Sequence, residues 1–174
     1  MQQPSTQRYT ALVFLRDVAI GLLLWLLLTA GVGEARIVPS GSMEPTIAVG
    51  DRIWTDKFLV RWGALQRGDI VVFEPPFPTE SPYLKRVIGL PGETVEIRDG
   101  SVWINGKPLT EPYAAEADYE YGPVLIPQDQ YLVLGDNRNV SYDSHRWGLV
   151  ERERITARAI FRIWPLSRAG RLGS

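Results

Sequence analysis

The hydrophobic pattern divides the chain into two unequal parts. Val18 to Val32 reads VAIGLLLWLLLTAGV, an apolar or weakly polar run of 15 residues. Arg16-Asp17 separates it from a shorter run, ALVFL, at Ala11 to Leu15. A helix that crosses a bilayer needs about 20 residues. Ala11 to Gly33 read as one segment reaches that length, with Arg16 and Asp17 near an interface where Arg can snorkel. On this reading residues 1–10 are a short cytoplasmic tail and residues 11–33 a transmembrane anchor. The same run suits a cleaved secretory signal peptide, with Gly33-Glu34-Ala35 as a small-x-small cut site. The pattern alone leaves both open. The charges on either side, Arg8 and Arg16 before and Glu34 and Arg36 after, favour the tail inside and residues 34–174 outside.

From Arg36 onward the pattern is of short strands and turns. DRIWTDKF alternates and is rich in aromatic and β-branched residues. GDIVVFEPP is a strand ended by prolines, and YLKRVIGLPG a strand followed by a turn. ETVEIRDGSVWINGKPL carries two hairpin signals, Asp99-Gly100 and Asn105-Gly106, each suited to a two-residue turn of the primed type. DQYLVLGDN runs from a strand into a polar loop, and ITARAIFRIWPL closes the chain. Thr110 to Pro123 lacks periodicity and reads as a loop or small insertion. The fold class is therefore all-β, built from coiled or packed antiparallel sheets.

Composition narrows the chemistry. Gly (16) and Pro (13) fit a turn-rich β protein. A net charge of −1 gives no electrostatic reason to expect nucleic acid. The absence of cysteine excludes disulfides, thiolate zinc sites and a cysteine nucleophile. The single histidine, His145, excludes a multi-histidine metal site.

Three segments carry more reactive side chains than strands and turns require. In Pro39-Ser40-Gly41-Ser42-Met43 a serine is a possible nucleophile, which needs a base. In YLKRVIG, Lys85 and Arg86 interrupt an apolar strand. Neighbouring strand residues face opposite sides, so one cation points inward. Burial lowers a lysine pKa from about 10.4 and makes it a base near neutral pH. An edge strand with both cations in water is the plainer alternative. In GDNRNVSYDSHRWG, polar side chains from Asp136 to Arg146 lie between apolar flanks, so they must pair with one another or with Lys85 and Arg86. A Ser-His-Asp triad using His145 and Asp143 is not expected. The two lie too close in one short segment for Asp143 to hold the ring nitrogen remote from a serine.

Together these segments resemble type I signal peptidase, the membrane-bound Ser/Lys endopeptidase. PSGSMEPT resembles its nucleophile box, GDIVVFEPP the next strand box, YLKRVIGLPGE the lysine box and GDNRNVSYDSHRWG the last box, in the family's order behind an amino-terminal anchor. The resemblance implies a coiled antiparallel catalytic domain of the signal peptidase/LexA-like type. It implies Ser42 as nucleophile and Lys85 as general base. The Ser40 hydroxyl and the Ser42 N–H would form the oxyanion hole, and Ser141 would orient the Lys85 ammonium. Asp136 and Asp143 would neutralise neighbouring cations such as Arg86 and keep the loop shaped. A shallow pocket for small side chains would be lined by Val38, Pro39, Met43, Ile47, Ile53, Val72, Tyr83 and Leu84. The implied partners are signal peptides of exported pre-proteins and the bilayer, with no cofactor and no metal. The implied location is the outer side of a plasma or thylakoid membrane.

Where many members read Asp-Ser-Arg, this chain has Asp143-Ser144-His145, similar to the cyanobacterial and thylakoid branch. A neutral His145 would offer a hydrogen bond rather than a salt bridge. Trp54, Phe58 and Trp62 are candidates for the membrane interface, or for the core. Competing readings are a LexA-type autoprotease, a silent homologue that binds signal peptides, and an exported β-domain binder.

Overall fold

The computed structural model describes residues 5–173, with side chains throughout except those of residues 5–10, 26–32 and 59. A helix, α1 (Ser5–Val32), leads directly into strand β1 (Gly33–Ile37). Then follow β2 (Arg52–Asp56), α2 (Phe58–Trp62), β3 (Ile70–Phe73) and β4 (Tyr83–Gly89). The middle of the chain holds β5 (Thr94–Arg98), β6 (Ser101–Ile104), β7 (Lys107–Pro108) and β8 (Tyr121–Leu125). The last third holds β9 (Gln130–Leu134), α3 (Ser144–Trp147), β10 (Val150–Glu151), β11 (Ile155–Trp164) and β12 (Gly170–Arg171). Among the described residues no helix is long and apolar enough to cross a membrane. The expected anchor, residues 11–33, falls partly outside the described side chains.

Two antiparallel sheets form the body. The large one runs β1-β2-β11-β3-β4-β9-β10, with β12 on β11, and the small one β7-β6-β5-β8. The long β11 bridges β2 and β3 and bends through register shifts on both sides. Such bulges bend and twist a strand, which lets the sheet curl. In β4 the side chains alternate between the two faces of the sheet and reach three core clusters. Val87 joins Val71, Phe73 and Val133, while Leu84 packs with Met43, Ile53 and Ile70 and Ile88 with Val95 and Leu132. Lys85 shares the Tyr83–Val87 side, and Arg86 the Leu84–Ile88 side.

Both hairpin signals form as expected. Asp99 and Gly100 have φ of 52° and 75°, Asn105 and Gly106 51° and 76°, the paired left-handed geometry of a type I′ turn. Elsewhere the expectations are corrected. The end of the Thr110–Pro123 segment enters β8, which pairs with β5 at the sheet edge. Gly122-Pro123 hides the alternation there, and an edge position tolerates the missing donor of Pro. DRIWTDKF is a strand only to Asp56, and Phe58–Trp62 is a helical turn. Phe58 and Trp62 are not core: they are 55% and 76% exposed. Trp54 is half-buried.

Candidate active site

The site forms where β4, the tight turn at Gly41–Met43 and the loop after β9 converge. Met43, 1% exposed, anchors the turn in the core. The turn closes on itself through Glu44 N–H to the Gly41 carbonyl at 3.1 Å. This geometry lifts Ser42 toward β4, where Lys85 Nζ meets Ser42 Oγ at 2.6 Å. Ser40 Oγ is 3.4 Å from Ser42 Oγ. Lys85 is 4% exposed. Burial pushes its pKa down to about 8, with the Asp143 and Asp136 carboxylates opposing the shift. The ammonium form donates to Ser42; the neutral amine, present from slightly alkaline pH, accepts from it.

The loop after β9 grips the Ser42 turn from behind. Asn137 N–H donates to the Ser42 carbonyl at 3.1 Å, and its side-chain amide donates to the Gly41 carbonyl at 3.2 Å. Gly135 makes this approach possible. A Cβ there would lie 2.5 Å from the Ser42 carbonyl and 2.6 Å from Ser141 Cβ.

Beneath the site Arg86 and Asp136, 2% and 0% exposed, form a two-pronged pair at 2.8 and 2.7 Å. Thr46 donates to the same carboxylate. Arg86 also donates to the Gly68 carbonyl at 2.9 Å and stacks 3.9 Å from the Tyr113 ring centre. Arg138 donates to the Gly135 carbonyl at 3.0 Å and pairs with Glu111 at 2.7 and 3.0 Å. Ala115 N–H donates to the Asp136 carbonyl at 3.1 Å. The segment without periodicity thus clamps the loop. Glu111 and Tyr113 are site-supporting residues that the sequence reading missed. The only signal was a charged and an aromatic residue in an otherwise unassigned stretch.

Asp143 does not neutralise Arg86, which Asp136 already satisfies. It caps α3, meeting His145 Nδ1 at 2.7 Å and accepting from the Gly135 N–H at 2.8 Å. The Asp-His pair therefore exists, but the imidazole is stacked 3.9 Å from the Tyr119 ring rather than placed on Ser42. The expected bond from Ser141 to Lys85 is not formed. Ser141 Oγ is buried against Gly135 and has no partner among the described residues.

A cavity of about 390 Å³ adjoins Ser42 and Lys85, and a second of about 260 Å³ continues from it. Val38, Pro39, Tyr83 and Leu84 line both, Met43 the first, and Ile53 and Val72 the second. Ile47 lines neither; it is fully buried in the core beside Met43. Val140 and Tyr142, not expected from sequence, complete the first cavity. Among the described residues no cluster of three or more His, Cys, Asp or Glu could hold a metal ion.

The arrangement suits acyl transfer by a serine with an amine base. Comparison with known proteins agrees. The family model described as signal peptidase, peptidase S26, matches residues 11–164. The chain is 52% identical over 147 residues to "Probable signal peptidase I-2" of Synechocystis sp., covering 81% of this chain and 67% of that one. It is 46% identical over 168 residues to "Signal peptidase I" of Leptolyngbya laminosa, covering 91% and 82%. It is 36% identical over 154 residues to "Thylakoidal processing peptidase 1, chloroplastic" of Arabidopsis thaliana, covering 82% of this chain and 45% of that one.

Proposed function

The chain belongs to the signal peptidase family, peptidase S26, and from that premise we propose that Ser42 and Lys85 are the nucleophile and general base with which it works. It is a serine protease of the signal peptidase I type, and its reaction is the removal of signal peptides. The observation that carries the assignment is the 2.6 Å contact between Ser42 Oγ and a buried Lys85.

Neutral Lys85 takes the Ser42 proton as Oγ attacks the scissile carbonyl. The Ser40 hydroxyl and the Ser42 N–H donate to the developing oxyanion. The Lys85 ammonium returns its proton to the leaving amine. The neutral amine then activates water against the acyl-enzyme. The substrate lies extended, with small side chains at −3 and −1 in the cavity lined by Val38, Ile53, Val72 and Leu84. The strand geometry supports this: β4 pairs with β9 only from Arg86 onward, so the Tyr83–Lys85 edge is open to a peptide strand. Residues 11–33 are proposed as a membrane anchor and residues 34–174 as the peptidase domain on the outer side of a plasma or thylakoid membrane. The support is the sheath of exposed apolar side chains on α1, among them Leu12, Phe14, Leu22 and Leu24.

The test is cleavage of a model pre-protein in detergent as a function of pH. Only the neutral amine accepts a proton, so kcat/KM should rise with pH, tenfold per unit below the Lys85 pKa, and level off above about 8. A profile still rising toward pH 10 would sink the role given to Lys85. A second expectation concerns Ser40. Ser40→Ala should lower kcat by about 100-fold with little change in KM, because its donor serves the oxyanion rather than the bound ground state. A rise in KM at constant kcat would instead make Ser40 a binding residue.

A further inference from the structure

The groove does not end at the nucleophile. The cavity walled by Ile53 and Val72 contains neither Ser42 nor Lys85. The adjoining cavity contains both and runs on to Val140 and Tyr142. Val140 and Tyr142 thus share a cavity with the nucleophile and lie outside the pocket walled by Ile53 and Val72. For a peptide with its −3 and −1 side chains in the pocket and its scissile carbonyl at Ser42, those two side chains are the apolar surface of the same cavity left for its next residues. Extended residues alternate in direction. The residue after the cut thus points away from the −1 pocket.

Val140 and Tyr142 present 72% and 53% of their surface to solvent. Tyr142 is nevertheless braced. It packs edge-on against Phe77 at 5.8 Å between ring centres, and Phe77 packs likewise on Tyr83 at 5.9 Å and Trp147 at 6.0 Å. Phe77 belongs to the 74–82 segment, in which Pro75, Pro76, Pro78 and Pro82 fix much of the backbone. The result is a rigid aromatic lip, already shaped before a substrate arrives.

We propose that Tyr142, together with Val140, is a specificity-determining residue that selects a large apolar or aromatic side chain at the first two positions of the released mature chain. The proposal rests on the signal peptidase reading above. It gives the leaving side of the substrate a preference of its own, separate from the small residues required before the cut.

The experiment uses the full chain in detergent and pre-proteins identical except for Ala, Leu, Phe or Asp at +1 or +2. Wild type should favour Phe and Leu over Ala and Asp at one or both positions. Tyr142→Ala should reduce that preference about 3- to 10-fold, the scale of one aromatic contact. Tyr142→Phe should keep it, since ring packing on Phe77 survives. An unchanged +1 and +2 preference in Tyr142→Ala overturns the proposal. So does an effect of Tyr142→Ala confined to a parallel set of pre-proteins varied at −2, which would put Tyr142 on the leader side. Failure of wild type to cut any of these pre-proteins overturns the underlying reading, and this proposal with it.

Discussion

Lys85→Ala and Ser42→Ala should each remove cleavage of a model pre-protein, lowering kcat at least about 1000-fold, while the protein stays folded. The two groups act as one unit through a single 2.6 Å contact. The double variant should therefore be no slower than either single one. Folding should survive in both cases. Among the described residues Lys85 forms no close ion pair and has Ser42 as its one hydrogen-bonded partner, and its amine is held in a desolvated position. Removing it relieves burial rather than stranding an opposite charge. The measurement is single-turnover cleavage alongside a thermal melt. A Lys85→Ala variant that melts normally and still cuts would mean that another group takes the Ser42 proton. Arg86 cannot serve, because a guanidinium does not deprotonate in proteins.

The second large effect falls on stability. Asp136→Ala strands the Arg86 guanidinium, 2% exposed, without its carboxylate. Breaking a buried pair from one side costs about 3–5 kcal/mol. For a chain of this length that lowers Tm by about 6–20 °C. Glu111→Ala should act in the same direction but less, because Arg138 keeps its bond to the Gly135 carbonyl. Replacing both partners, as in Arg86→Met with Asp136→Leu, should recover much of the melting temperature without restoring the loop's shape or activity. Equal melting of wild type and Asp136→Ala would show that water reaches Arg86.

That Ser42 and Lys85 deserve notice was legible because each announces itself locally, and the fold brings the two into contact. Two hydroxyls flank a glycine between prolines, and adjacent cations interrupt an apolar strand. Strand alternation alone puts Lys85 and Arg86 on opposite faces, and the fold does so. The primed turns at Asp99-Gly100 and Asn105-Gly106 were readable for the same reason, since two consecutive positive φ values demand those residues. What could not be read depends on distant partners. Nothing local says that Glu111 pairs with Arg138, that Tyr113 covers Arg86, or that Tyr119 takes the face of His145. Ile47 looked like a pocket residue from its place in the nucleophile box, yet it turns into the core beneath Met43. Ser141 sits in the expected loop, but its hydroxyl is packed against Gly135 and makes no bond to Lys85.

The clamp on the Ser42 turn also sets when the enzyme comes into being. Ser42 leaves the ribosome early, but the Asn137 amide that holds the Gly41 carbonyl lies 96 residues further along. Contacts of such sequence separation form late, after the loop-closure entropy of the intervening chain has been overcome. An incomplete chain thus carries a serine and, later, a lysine with no frame to align them. The frame that sets Ser42 against Lys85 is complete only when the loop after β9 docks.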